Sequence, residues 1–493
     1  MTAPPVSQSR EIGRKKFSMR DQEVFASISF DRNPMHMDAV AARRLLTGRP
    51  VVHGIHVLMT ALECLDDDIA SIPLAVECTF NNAINVDDLV VFTRRNRDQG
   101  LTIEASVEGL LCARLYLRAA QPSTETDAAA TLVDSQVNEY SIPSNASDAP
   151  LNEPPEFHLK KRYVVPIDAA DLGHYFPRSS VRYGSKNLAS LLATSYFVGM
   201  VCPGLNSIFS TLRVQLGKQV EKVRSIEFSV DEYDERFGMF RIFLSGSIVG
   251  SLTAFVRPPP RQQPTIAEVS RWVTSGEFGG TRSLVIGGSR GLGEAAAKIL
   301  AAGGGDILIT YRDGSSEAEA LNVEINGSGI GKSRGQRFDV MSSNFADIDF
   351  EIIDMVFYFA SPRIYRKKAR VFVRSLFEEF IEFYVRSFHD LCLYIEGLSL
   401  GRKIYIYVPS SVFVEERPEC LTEYAMAKAA LEILIEDINK SFKGVSIMTT
   451  RLPRLSTDQT SSVLKAANSD TLDVLVPVVR AAVATRKERS QPD

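Results

Sequence analysis

Apolar and polar positions recur along this chain with two different periods, and the changes of period divide it into three stretches. From Gly54 to about Leu65 the apolar residues follow a helical spacing, and alternating segments come next at Leu74–Phe80, Leu89–Arg94, Thr102–Val107 and Cys112–Leu117. One buried helix followed by antiparallel strands predicts a sheet wrapped around a helix. The order then repeats: Asn187–Met200 is a helical candidate, with strand candidates at Ser207–Gln215, Val223–Val230, Arg241–Gly246 and Ser251–Val256. Beyond them short apolar runs alternate with helices: Ser283–Ile286, Gly291–Ala302, Asp306–Tyr311, Met355–Phe359 and Lys403–Val408. That rhythm predicts a doubly wound parallel sheet with helices on both faces.

Two stretches have the composition of linkers. Gln121–Glu156 is rich in Ser, Thr, Asn, Asp, Ala and Pro, and Arg257–Pro264 reads RPPPRQQP, which cannot continue a central strand. The expected organisation is therefore 1–120, a linker 121–156, 157–256, a linker 257–280, and 281–493. A length of 493 residues fits it, at about 150 residues per folding unit. With 45% hydrophobic and 24% charged residues the chain is globular in composition, and disorder is excluded as its default state. A net charge of −4 without long basic blocks excludes an electrostatic footprint for nucleic acid, which favours a small or carrier-bound substrate. Met1–Lys16 has no apolar core of a signal peptide and no stretch is long enough to span a bilayer, so no membrane partner and a cytoplasmic location are expected. The six cysteines show no CxxC spacing, and neither a metal site nor a disulfide framework is expected.

The segment Asp31-Arg32-Asn33-Pro34-Met35-His36, followed by Val51-Val52-His53-Gly54 at the head of the first helical stretch, carries the first chemistry. Adding water to a double bond conjugated with a thioester needs a base, an acid and donors for the enolate oxygen. Asp31 and His36, placed across an Asn-Pro turn, can address one water, and the unpaired N–H groups at the helix start can hold the thioester oxygen. The pattern D-x-N-P-x-H followed by a hydrophobic-HG step resembles the MaoC-like family, which includes the type 2 enoyl-CoA hydratases and has the hotdog fold. The resemblance implies Asp31 and His36 as the catalytic pair, Asn33 holding the loop, and His53 and Gly54 bordering the oxyanion site. The plainer reading, with Asp31 and Asn33 capping a turn and His36 packed beside it, is outweighed by six residues of pattern and the HG step. The family usually has Gly before the Asp; here it is Phe30.

In the second stretch Pro203-Gly204-Leu205-Asn206-Ser207-Ile208 resembles the turn after the hotdog helix in the same family. The earlier position reads Phe176-Pro177-Arg178-Ser179-Ser180, without the catalytic pattern, and His174 is read as structural. The resemblance thus implies an α+β double hotdog whose second half is non-catalytic and helps to build the acyl tunnel.

In the third stretch Gly287-Gly288-Ser289-Arg290-Gly291-Leu292-Gly293 joins an apolar strand to a helix, where backbone turns and a helix amino end suit a pyrophosphate. Tyr424 and Lys428 are four apart on a predicted helix, and Ser411 lies thirteen residues before Tyr424. On one helix face the ammonium can lower the pKa of the phenol, while Ser411 orients a substrate oxygen. Together these resemble the short-chain dehydrogenases/reductases, with a Rossmann-like α/β fold. The resemblance implies Ser411, Tyr424 and Lys428 as catalytic, with the Gly287–Gly293 loop, Asp339-Val340 and Lys428 as cofactor contacts. Arg290 and Arg312 can pair with a 2′-phosphate, which favours NADPH over NADH; the plainer reading of both is solvated surface charge. Departures from that family stand at Ile286, at Phe359-Ala360-Ser361-Pro362, at Tyr384 and at Pro453-Arg454-Leu455-Ser456-Thr457, and the segment from Asp339 to Met355 is short for its usual helix.

Combined, the motifs point to a bifunctional enzyme of acyl thioesters, one half exchanging 3-keto and 3-hydroxy groups and the other 3-hydroxyacyl and enoyl groups. NADPH would set the direction toward reduction and dehydration; the reverse pair resembles the peroxisomal multifunctional enzyme of β-oxidation with its domain order inverted. No acyl-carrier D-S-L segment or G-x-S-x-G elbow is seen, so the substrate is expected as a CoA ester or on a carrier supplied in trans. Both families commonly form dimers or tetramers, and a homo-oligomer is expected. Two alternatives stay open: an active hydratase half with the reductase half a degenerate oligomerisation platform, or a non-catalytic thioester-binding or assembly protein.

Overall fold

The computed structural model describes residues 9–45, 47–66, 74–97, 99–119, 138–141, 149–217, 223–342, 344–364, 372–460 and 469–489. Two compact units divide between Pro259 and Pro260.

In the first unit the strands are β1 (Arg10–Lys16), β2 (Ala75–Phe80), β3 (Leu89–Arg97), β4 (Gly100–Val107), β5 (Leu110–Arg118), β6 (Asn138–Ser141), β7 (Lys161–Pro166), β8 (Ser207–Leu216), β9 (Ser225–Asp234), β10 (Met239–Ser245) and β11 (Ile248–Val256). They form one sheet in the order β1-β3-β4-β5-β2-β8-β11-β10-β9-β7-β6. The period of two is visible in β4, which buries Leu101, Ile103, Ala105 and Val107, and in β10, which buries Phe240, Ile242 and Leu244. The helices are α1 (Met19–Ser29), α2 (Pro34–Met37), α3 (Gly54–Glu63) and α4 (Ser185–Tyr196). Helices α3 and α4 are covered on almost every side; α3 is apolar nearly all round, whereas α4 also buries Asn187, Ser190, Thr194 and Ser195. The two helix-and-strand sets join where β2 pairs antiparallel with β8, with Ala75 opposite Gln215 and Thr79 opposite Thr211. One hydrophobic core runs through both sets.

Several expectations are corrected here. Strand β1 lies within a start that reads as polar, because as an edge strand it pairs with β3 alone and buries little. The second helical stretch stops at Tyr196 and continues as a wider turn over Phe197–Val201. Inside the first linker, Asn138–Ser141 pairs with β7, since an edge strand needs only backbone partners; 120–137 and 142–148 lie outside the described residues. Ile266, Val269, Val273 and Phe278, within the second linker, are buried in the core of the second unit.

The second unit is a six-stranded parallel sheet of β12 (Arg282–Ile286), β13 (Asp306–Tyr311), β14 (Lys332–Arg337), β15 (Met355–Tyr358), β16 (Ile404–Ser411) and β17 (Val445–Leu452). Its order is β14-β13-β12-β15-β16-β17. Side chains alternate between two cores: Val285, Ile309 and Phe357 face helices α5 (Gly291–Ala302) and α8 (Thr471–Arg489). Leu284, Leu308 and Val356 face α6 (Ser387–Gly397) and α7 (Thr422–Ser441). The strand order reverses beside β12, and in such sheets the crevice at that reversal, beyond the carboxyl ends of the strands, receives the ligand.

Candidate active sites

The first site is built on the loop after α1. This helix starts with a capping box between Ser18 and Asp21 and ends at Phe30, whose φ of 61° lies in the left-handed region. A residue without Cβ adopts that conformation most cheaply, so the glycine usual in the MaoC-like pattern has a local physical reason. The turn delivers Asp31 inward, only 2% exposed. Its Oδ1 accepts the Asn33 N–H at 3.2 Å and its Oδ2 the Ser195 hydroxyl at 2.7 Å. Asn33 caps α2 by accepting the Met35 N–H at 3.1 Å, while its amide donates to the carbonyls of Gly199 at 2.8 Å and Gly204 at 3.1 Å. A Cβ on Gly199 would lie 2.3 Å from the Asp31 carboxylate, so the turn after α4 can press against Asp31 only as glycine.

His36 places Nδ1 2.6 Å from the Val51 carbonyl. A carbonyl only accepts, which puts the proton on Nδ1 and the lone pair on Nε2. His36 stacks on His53 with 3.9 Å between ring centroids. His53 sits at the head of α3 and turns Nε2 to the Asp31 carbonyl at 3.0 Å, which makes that nitrogen a donor too. Its Nδ1 is buried without a partner among the described residues. Gly54 opens α3 against the Phe80 ring, where a Cβ would meet the ring edge at 3.0 Å, and no side chain caps the helix start.

Burial raises the Asp31 carboxyl to about 7, against the opposing bonds from Ser195 and Asn33. Burial lowers His36 to about 4, with the Arg257 guanidinium adding to the effect and the Val51 bond opposing it. Near neutrality the pair is thus an imidazole with a free lone pair beside a carboxyl that holds its proton much of the time. Donor atoms of Asp31, His36 and His53 gather within 4.8 Å, close enough for a metal ion. The bond from His53 Nε2 to the Asp31 carbonyl leaves Nδ1 as the lone-pair nitrogen of that ring, as the Val51 bond leaves Nε2 in His36, an orientation that serves proton transfer and ligation alike. A cavity of about 390 Å³ approaches along Phe25 and His56, and the Phe25 ring lies 4.8 Å from that of His53. Asp31 and His36 are not among its walls.

Ser195, Gly199 and Arg257 were missed in the sequence. They come from the second helix-and-strand set, and no motif spacing ties them to Asp31.

The second site lies at the reversal of the parallel sheet. Gly287 turns at φ 74°, and a Cβ on Gly293 would sit 2.3 Å from the Gly287 carbonyl oxygen. The start of α5 therefore packs directly on the turn after β12, leaving a backbone-lined cradle that a larger residue would fill. Ser289 faces Gly314, Arg290 precedes α5, and Leu292 packs against the core. Arg312 is exposed and ion-paired with Asp313 at 2.7 Å. Asp339 accepts the Met341 N–H at 3.1 Å, and Val340 is buried.

Ser411 ends β16, buried, with its Oγ accepting the Phe413 N–H at 3.2 Å. Tyr424 and Lys428 lie in the first turns of α7, both buried. The Lys428 ammonium donates to the Pro409 carbonyl at 2.7 Å and lies 3.8 Å from the centroid of the Tyr384 ring and 5.9 Å from that of Tyr424. Burial lowers Lys428 to about 7, against the pull of Glu432. Tyr384 shares a 2.5 Å hydrogen bond with Ser361, and the Phe380, Tyr384 and Phe413 rings surround Tyr424 at 5.6, 5.9 and 6.4 Å. Tyr384 and Ser361, two of the departures from the reductase pattern, are thus hydrogen-bonded to each other, with the Tyr384 ring against Lys428.

Residues 3–99 match the MaoC like domain family. The matched segment contains the whole Asp31–His36 loop and the head of α3. No curated protein sequence matches the chain. Among solved structures, a dehydrogenase/reductase from Sinorhizobium meliloti 1021 is 20% identical, over 44% of this chain and 91% of its own, with a TM-score of 0.34. A short chain dehydrogenase from Burkholderia cenocepacia J2315 in complex with NADP is 23% identical, over 42% and 90%, with a TM-score of 0.35. FolM alternative dihydrofolate reductase 1 from Brucella suis, in complex with NADP, is 17% identical, over 42% and 90%, with a TM-score of 0.34. Among the described residues no helix is long and apolar enough to cross a membrane.

Proposed function

We propose that the first unit is a double hotdog that hydrates enoyl thioesters or dehydrates 3-hydroxyacyl thioesters. The observation that carries this reading is the buried pair of Asp31 and His36, one held by Ser195 and Asn33 and the other by Val51. In hydration His36 Nε2 takes a proton from water as its oxygen adds to the β-carbon, and Asp31 gives its proton to the α-carbon. Dehydration runs the same transfers backward. The uncapped N–H groups at the head of α3, beside Gly54, face the role of holding the thioester oxygen as it gains charge.

For the second unit we read a 3-ketoacyl thioester reductase that uses a nicotinamide cofactor, NADPH in preference to NADH. The Gly287–Gly293 cradle fits a pyrophosphate, Arg290, which precedes α5, would pair with a 2′-phosphate, and Asp339-Val340 would border the adenine. Arg312 supports that preference less, since Asp313 already neutralises it. When bound, the cofactor supplies the hydride. Tyr424 holds the proton that the substrate oxygen exchanges, Lys428 supports the phenolate and reaches toward the ribose, and Ser411 orients the oxygen. The packing of Tyr384 on Lys428 favours a second reading, in which only the hydratase half turns over and the other is a degenerate platform.

The substrate would arrive as a CoA ester or on a carrier protein in trans, in a homo-oligomeric enzyme. The test follows loss of the conjugated absorbance of crotonyl-CoA, and then NADPH formation after addition of NADP+. Asp31→Asn is expected to cut hydration by about 10³-fold, and Tyr424→Phe to abolish the nicotinamide signal alone. Hydration without a nicotinamide signal in either direction would select the second reading. Silence with both CoA and carrier-bound substrates would reject catalysis.

A further inference from the structure

Arg257 directly follows β11, at the start of the proline run. Its backbone N–H donates to the Asn206 carbonyl at 2.7 Å and its Nη2 to the Leu205 carbonyl at 2.8 Å. The Leu205 oxygen also receives the Asn33 amide at 3.4 Å, so the guanidinium and the residue between Asp31 and His36 share one acceptor. Nε and Nη1 of Arg257 are buried and have no partner among the described residues, and no carboxylate pairs with it there. The charge is felt at His36, whose imidazole it helps to keep neutral, and burial lowers Arg257 itself to about 10.

A guanidinium has five N–H donors in a fixed fork. Three of them, one on Nε and two on Nη1, have no partner among the described residues, and leaving a buried donor unpaired costs roughly 1–3 kcal/mol. Such a site is built to be completed by a ligand oxygen. The phosphates of a thioester carrier lie at the far end of the extended pantetheine arm, whereas Arg257 borders the loop of the reacting centre. The group that reaches it is therefore on the acyl part.

We propose that Arg257 is a specificity-determining residue that binds an anionic oxygen group, a carboxylate, on the acyl chain, so that the preferred substrates are enoyl or 3-hydroxyacyl thioesters of dicarboxylic acids. This rests on the hydratase reading of the same site.

Two measurements test it in the full-length protein. The first compares kcat/KM for fumaryl-CoA and crotonyl-CoA, in the wild type and in Arg257→Met and Arg257→Lys. The wild type is expected to favour the carboxylated substrate, Arg257→Met to shrink that ratio at least 30-fold, and Arg257→Lys to restore part of it. An equal loss on both substrates would overturn the proposal and leave Arg257 as a shaper of His36. Repeating the comparison with N-acetylcysteamine thioesters, which lack phosphate, is expected to preserve the ratio; its disappearance would assign Arg257 to the carrier phosphate instead. The second measures binding of succinyl-CoA and butyryl-CoA by calorimetry and needs no turnover. Tighter binding of succinyl-CoA, lost in Arg257→Met, would support the anion site even if no enoyl thioester reacts. Equal affinities would reject it even if crotonyl-CoA is hydrated.

Discussion

At the scale of single residues, the chemistry of the first site is set by opposite effects of one environment. Burial makes a carboxyl harder to ionise and an imidazole harder to protonate, and the values of about 7 for Asp31 and about 4 for His36 are the two outcomes. With Asp31 as acid and His36 as base, hydration kcat/KM is expected to fall as pH rises through about 7, where Asp31 loses its proton, and to fall below about 4, where His36 gains one. A profile rising through pH 7 would reverse the two roles. Ser195 donates to Asp31 and stabilises its charged form, so Ser195→Ala is expected to move the upper limb to higher pH and reduce kcat about tenfold. Unchanged limbs would make Ser195 a packing residue only. Asp31 and His36 were legible because the D-x-N-P-x-H spacing is local. Ser195 was not, because it lies 164 residues from Asp31 and nothing in the sequence separates it from Ser185, Ser190 and Thr194 of the same helix.

At the scale of elements, sequence periodicity located most strands and helices, because a strand with one buried face or a helix with an apolar surround writes its packing into the pattern. Strand β13 and helix α5 occupy the residues expected of them. Strands β1, β6, β7, β14 and β17 lie outside the segments that periodicity marked; of these β1, β6 and β14 are edges held by backbone pairing, with largely polar residues. The turn of β12 into α5 is the element on which cofactor binding depends. Gly293→Val would drive a side chain into the Gly287 carbonyl, and is expected to weaken NADPH binding more than 100-fold and to destabilise the second unit by about 1–3 kcal/mol. Fluorescence titration with NADPH checks the first and urea unfolding the second. If NADPH binds the wild type no better than the variant, the cradle is not a nucleotide site.

At the scale of the whole molecule, the division between Pro259 and Pro260 separates units with their own cores. Calorimetry is expected to resolve two transitions, of which NADPH raises one. The first unit is itself indivisible, because β2 pairs with β8 and the second helix-and-strand set supplies Ser195 and Gly199 to Asp31. A fragment ending at Pro259 is expected to keep crotonyl-CoA hydration, while residues 1–120 alone lose it. An active short fragment would mean that the second set is dispensable for the chemistry.

The sequence by itself determined the two kinds of sheet, the position of the Asp31–His36 loop, and the glycine turn with Tyr424 and Lys428. Each of these is written in local spacing, through side-chain period or a motif of contiguous residues. Tertiary structure alone decided the roles that depend on meeting. It set Ser195 and Gly199 against Asp31, Arg257 on the carbonyl it shares with Asn33, and the Tyr384 ring on Lys428. Proton affinities and unpaired donors arise from burial and from partners distant in the chain, and no local pattern of residues encodes either.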